Sequence, residues 1–197
     1  MTDAYRFDES STEQAIAYAK IYAGENYSPA METVLKVAFS EKRNLPTFRL
    51  KSSDTILLSG YMKKWVGAYL AGYNNRPSVR TGNCSGTHPD PMAKTILRAR
   101  ISGLEDNLAD KIVAGHSLLM TIENNIGELL EEYLSVKLSP LGWYCCWGST
   151  IDAVDFCKAD GSLLQIKTSD NSENSSSSRV RQGTPIGKWF RRFSRRP

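Results

Sequence analysis

Residues 151–183 read IDAVDFCKADGSLLQIKTSDNSENSSSSRVRQG. Two short apolar runs flank the segment KADGS, and Asp-Gly between such runs is a strong hairpin signal. With a side-chain period of two, Ile151, Ala153 and Asp155 share one face of the first strand. Leu163, Gln165 and Lys167 share one face of the second strand, and Leu164 and Ile166 the other. A tight hairpin therefore brings Asp155 opposite Gln165 and Lys167, setting a carboxylate, an amide oxygen and an ammonium at one end of a small sheet.

Upstream, the pattern is helical. STEQAIAYAKIYAG opens with a Ser/Thr cap and a glutamate, and SPAMETVLKVAFSEKR places Pro29 in a first turn. DTILLSGYMKKWVGAYLAGY reads as a third helix with Asp54 as its cap. The segment NNRPSVRTGNCSGTHPDP is dense in turn formers and reads as a loop, either a plain connector or one whose Arg76, Arg80 and His88 touch a ligand. MAKTILRARISG and LEDNLADKIVAGHSLLMTIENNIGELLEEYLSVKL continue as helix. In the latter Ile122, Ile126, Leu129, Leu130, Tyr133 and Leu134 form one broad apolar face, with Glu128, Glu131 and Glu132 on or near the opposite side. Pro140 and Gly142 end it. GWYCCWG is then an aromatic strand, and GTPIGKWFRRF reads as a basic helix with Thr184 as cap and Pro185 in its first turn. The expected organisation is one compact domain, with a helical part over residues 1–110 and an α/β part over 111–197 that carries the sheet and the basic helix.

At 197 residues, with 41% hydrophobic and 23% charged residues, the chain has the composition of a globular protein with a real core. No apolar run approaches the roughly 18 residues of a membrane span, and the acidic amino terminus MTDAYRFDESSTEQ is not a secretory signal. Cytoplasmic residence is the expectation. Cys84, Cys145, Cys146 and Cys157 contain no CxxC pair. The Cys84/His88 fragment lacks a second ligand pair, so reduced, buried thiols are expected rather than zinc. The formal charge of +4 is uneven: Arg179 to Pro197 holds seven basic residues and no acidic ones, while the first 178 residues hold 18 basic and 21 acidic. A mildly acidic body with a strongly basic end points to a polyanion such as nucleic acid.

The hairpin suits one chemistry. Mg²⁺ prefers hard oxygen ligands and keeps several waters. Phosphodiester hydrolysis needs an activated water and a cation facing the charge that develops on the phosphoryl oxygens. Asp155 and Gln165 offer oxygens to the metal, and Lys167 offers an ammonium to water and phosphate. A further carboxylate is wanted, and the glutamate helix upstream supplies the candidates. The competing reading is a lysine that merely snorkels at a strand end.

A glutamate helix followed by strands bearing Asp and QxK resembles the PD-(D/E)xK nuclease superfamily. More narrowly, NNIGELLEEYLS, GWYCCWGSTIDAVDF and LLQIKTSDNSENSSSSRVRQGTPIGKWFR resemble type II restriction endonucleases of the SinI kind, best over residues 120–193. The resemblance implies an α/β restriction-endonuclease core, a small mixed sheet flanked by helices. It implies Mg²⁺-dependent cleavage of double-stranded DNA at a site of the form G^GWCC, in a homodimer paired with a cytosine methyltransferase. Asp155 becomes the metal-binding aspartate, Gln165 takes the place of the usual acidic residue, Lys167 is the lysine, and Glu131 is the helix carboxylate. Glu128 and Glu132 stay open, and Asp152 is the reserve for Asp155. Gln for Glu removes one negative charge beside the metal.

The polar run after Lys167 would lie on the DNA side. Asn174, Ser175, Ser176 and Thr184 can hold phosphate oxygens, Arg179 and Arg181 can grip phosphates or read guanine edges, and Lys188 and Arg191 lie in the basic segment. A flexible serine-rich linker is the alternative reading of this composition. The chain ends at RRFSRRP, where the enzymes it resembles continue with further strands, so a shortened copy is expected. The rival functions are a DNA-binding protein without catalysis, a repair or junction nuclease of the same superfamily, and an inactive remnant.

Overall fold

The computed structural model describes residues 7–48, 57–80, 90–167 and 185–191. Five α-helices and four strands occupy them: α1 Thr12–Ala23, α2 Pro29–Ser40, α3 Leu58–Asn74, α4 Pro91–Arg100, α5 Asp106–Leu138, β1 Trp143–Cys145, β2 Phe156–Lys158, β3 Leu163–Lys167 and β4 Ile186–Phe190. The order is helices first, then a mixed four-stranded sheet β1-β2-β3-β4. The first three strands pair antiparallel and β4 runs parallel to β3.

Local chemistry explains most helix starts. Ser28 accepts from the Met31 N–H at 3.2 Å with Pro29 in the first turn, so α2 begins where its cap dictates. At α1 the side-chain cap lies earlier than expected: Asp8 accepts from Ser10 N–H and starts a 3-10 turn at Glu9–Ser11 that leads into the helix. For α3, Asp54 lies outside the described residues, and the helix starts at Leu58 with Leu57 in the cap position.

One face of the sheet and the first three helices share a large core. Leu35 and Phe39 of α2, Tyr61 and Trp65 of α3, and Cys157 and Leu163 of the sheet are all buried in it. α3 meets the chain after β1 at backbone distance. A Cβ on Gly72 would overlap the Gly148 nitrogen, and one on Gly148, whose φ is +71°, would overlap the Ala68 carbonyl. Trp65 then donates its indole N–H to the Thr150 carbonyl at 2.9 Å.

The other sheet face, with Cys145, Phe156 and Ile166, packs against Leu130, Leu134 and Leu138 of α5. Cys145 and Cys146 thus join different clusters, as strand neighbours should. The apolar stripe of α5 is narrower than its sequence suggests, since Ile122, Leu129 and Tyr133 are exposed. Among the described residues no helix is long and apolar enough to cross a membrane.

Two expectations fail. The segment read as a basic helix is strand β4, with Ile186 packed against the large core and its backbone paired with β3. Ile, Trp and Phe suit a pleated surface, and Pro185 immediately before a strand is as acceptable as in a first helical turn. Thr184 lies outside the described residues. The first hairpin strand is also shorter than expected, covering only Phe156–Lys158. Ile151 to Val154 form a turn in which Ala153 has φ 59° and Asp152 N–H donates to the Asn44 carbonyl at 2.9 Å. Burying Ile151 and Val154 in the core favours this turn over an extended strand.

Candidate active site

The hairpin closes as its Asp-Gly turn demands. Gly161 has φ 86°, Asp160 accepts from Ser162 N–H at 2.9 Å, and Lys158 N–H donates to the Ser162 carbonyl at 2.9 Å. Phe156 then pairs with Leu164 and Cys157 with Leu163. One step further, the chain departs from a regular strand at Asp155. Its N–H donates to the Leu164 carbonyl at 3.0 Å, while its carboxylate Oδ2 accepts from the Ile166 N–H at 2.6 Å. These two bonds bracket Gln165, so Asp155 lies across from it, with Lys167 two residues on. A side-chain oxygen has replaced a ladder carbonyl, which fixes the carboxylate against β3.

Burial raises the Asp155 carboxyl above its ordinary range, offset by the Ile166 N–H and by the Lys167 ammonium. Gln165 is 4% exposed, and its side-chain oxygen has no hydrogen-bond partner among the described residues. A buried amide oxygen without a donor is costly unless something else satisfies it. Two oxygens, one charged and one neutral, thus stand at adjacent strands.

The glutamates of α5 divide by environment. Glu131 is half-buried, and its carboxyl is pushed up to about 7, first by loss of solvent, then by the charges of Asp155 and Glu128, against the pull of Lys167. It therefore belongs to the electrostatic neighbourhood of the hairpin rather than to the solvent side of the helix expected for it. Glu132 is occupied elsewhere. Its carboxylate accepts from Ser78 N–H at 2.8 Å and from the Ser78 hydroxyl, and lies 3.4 Å from Arg76 Nε. Arg76, which the sequence left open between a ligand contact and a plain connector, stacks 4.1 Å over the Tyr73 ring, which meets Trp147 edge-on. Glu132 thus ties the turn after α3 to α5. Asp152 sits in the Ile151–Val154 turn rather than on a strand face.

Cys145 is a neighbour that sequence reasoning missed. Burial raises its thiol well above the ordinary value, and the charges of Glu131 and Asp155 add to the effect. Its alternation out of phase with Cys146 was the available signal. Among the described residues, no three His, Cys, Asp or Glu side chains group as metal ligands. A hard cation here would draw on Asp155 and the Gln165 amide oxygen, with Glu131 in reserve.

Of the residues expected to grip DNA, Lys188 lies in β4 and Arg191 directly after it, where Arg191 N–H donates to the Lys167 carbonyl at 2.9 Å. Asn174, Ser175, Ser176, Arg179, Arg181 and Thr184 lie outside the described residues.

The family model described as SinI restriction endonuclease matches residues 52–197. Over 115 residues the chain is 46% identical to the type II restriction enzyme SinI of Salmonella infantis, covering 56% of this chain and 50% of that enzyme. It is 44% identical over 115 residues to the type II restriction enzyme Eco47I of Escherichia coli, with the same coverage. The chain spans about half the length of the curated relatives it matches.

Proposed function

The chain belongs to the SinI restriction endonuclease family, and on that premise we propose that it cleaves double-stranded DNA at a short specific site by Mg²⁺-dependent phosphodiester hydrolysis. The observation that carries this reading is the Asp155 carboxylate held on the Ile166 N–H, between Gln165 and Lys167. We assign the arrangement to a nuclease core of the PD-(D/E)xK type. The named relatives are type II restriction enzymes, which supports site-specific cutting.

The donor set fits a hard divalent ion: one carboxylate fixed by a backbone bond, and one buried amide oxygen lacking a donor. When bound, Mg²⁺ supplies positive charge to a phosphoryl oxygen and a more acidic water. Lys167 presents its ammonium to the attacking water and to the phosphoryl oxygens. The water oxygen bonds to phosphorus as the bond from phosphorus to the leaving sugar oxygen breaks. Glu131, with a carboxyl near neutrality, accepts a proton from the water. The leaving oxygen takes its proton from solvent.

The serine-rich segment with Arg179 and Arg181 would hold the duplex. A near-palindromic site such as G^GWCC would call for a homodimer, and a paired cytosine methyltransferase would guard host DNA in the cytoplasm. The test is digestion of unmethylated duplex DNA carrying GGWCC, with Mg²⁺ or with EDTA, followed by mapping of the ends. A discrete cut that needs both the site and Mg²⁺ is expected. A folded protein that shifts this DNA without cutting it would leave a DNA-binding protein in place of the enzyme.

A further inference from the structure

Strand β4 changes what Lys188 is. On a helix it would have been one of several surface cations. In the sheet its Cα is registered with that of Gln165, as Leu163 is with Ile186 and Lys167 with Phe190. Paired residues on neighbouring strands project to the same face. Leu163 and Ile186 both meet the large core, which identifies that face at one end of the pair of strands. Gln165 and Lys188 follow one step along it.

On the far side of β3, the Asp155 bonds to Leu164 and Ile166 place Asp155 across from the same Gln165. One row across the sheet therefore reads Asp155, Gln165, Lys188: carboxylate, amide, ammonium. Adjacent strands lie about 4.8 Å apart, so roughly 10 Å separates the outer two backbones. A phosphate and the four-carbon stem of a lysine fill such a gap.

Lys188 is exposed, and no carboxylate among the described residues pairs with it. The identity of residue 165 bears on this. A carboxylate there would sit directly beside Lys188 and hold the ammonium in a cross-strand ion pair. The neutral amide leaves the ammonium to another anion. Resting on the proposed nuclease reading, we propose that Lys188 contacts the scissile phosphate from β4, as a second cation of the active site beside Lys167 and not as part of a general grip on the duplex.

The experiment compares wild type with Lys188→Ala, Lys188→Arg and Lys167→Ala on a duplex whose cut position has been mapped. Single-turnover rates are read in Mg²⁺ at saturating protein. Affinities are read in Ca²⁺ by fluorescence anisotropy, on the normal duplex and on one with a single uncharged methylphosphonate at the scissile position. Lys188→Ala should lower the rate about 30-fold, with Lys188→Arg recovering most of it. Affinity for the normal duplex should fall less than about threefold. Wild type should bind the methylphosphonate duplex more weakly than the normal one, and Lys188→Ala should shrink that difference. Unchanged circular dichroism and thermal midpoint confirm that the exposed substitution leaves the fold intact.

If Lys167→Ala is inactive while Lys188→Ala cuts at the wild-type rate, the inference falls and the nuclease reading stands. Equal weakening of both duplexes by Lys188→Ala would also overturn it, reducing Lys188 to an ordinary phosphate grip. If wild type makes no discrete cut, the nuclease reading falls and takes this inference with it.

Discussion

Glu131 shows what a single position inherits from its surroundings. Its folded carboxyl sits near 7, above the ordinary 4.5, because burial and the neighbouring carboxylates disfavour its charge. The folded state thus holds this proton more tightly than the unfolded chain. The stability it contributes is full below about pH 4.5 and is lost as pH rises through about 7. In metal-free buffer, urea unfolding between pH 4.5 and 8 should show wild type losing up to about 3 kcal/mol relative to Glu131→Gln. A parallel pH dependence in both proteins would contradict this. Helical spacing alone left Glu128, Glu131 and Glu132 equivalent. What separates them is tertiary: Glu132 is taken by Arg76 and Ser78, and Glu131 faces the charges of the hairpin. The hairpin turn and its second strand were legible because Asp-Gly and the alternation of Leu163–Lys167 are local signals.

At the scale of elements, the hardest segment to read was GTPIGKWFRRF. A threonine before a proline is a good helix start, and only pairing with β3, whose registered residues lie 23 positions earlier (163 with 186), makes Ile186–Phe190 a strand. Such non-local contacts override propensity without leaving a local trace. The same holds for the turn Ile151–Val154, whose alternation suggests a strand but whose apolar residues turn into the core. Two predictions belong here. Gly72→Ala should cost about 3 kcal/mol or more in urea unfolding, because its Cβ meets the backbone of Gly148, not a side chain that can yield. Glu132→Ala should cost about 1–2 kcal/mol by releasing the Ser78 N–H and Arg76 from α5. If it also leaves single-turnover cleavage within a few fold of wild type, Glu132 has a structural role and not a catalytic one.

Across the whole molecule, the sheet is held between two apolar layers. The first three helices cover one face, and the carboxyl-terminal end of α5 covers the other. The hairpin end that carries Asp155, Gln165 and Lys167 is therefore fixed from both sides, as a preorganised polar site requires. Amphipathic spacing foretold most of the helices, and aromatic richness foretold β1. Neither foretold that β4 would bring a second lysine into register with Gln165. The family and the two named relatives agree with the restriction-endonuclease resemblance carried by the glutamate helix, the hairpin and the polar run. If this hairpin cuts DNA, Lys167→Ala removes cleavage and leaves binding. Cleavage in Mg²⁺ and gel-shift affinity in Ca²⁺ are measured on the same GGWCC duplex for both proteins. Lys167→Ala should lose at least about 1,000-fold in cleavage rate, roughly 4 kcal/mol of transition-state stabilisation, while binding changes by no more than a few fold. A variant that still cuts at the wild-type rate would contradict this role for the hairpin.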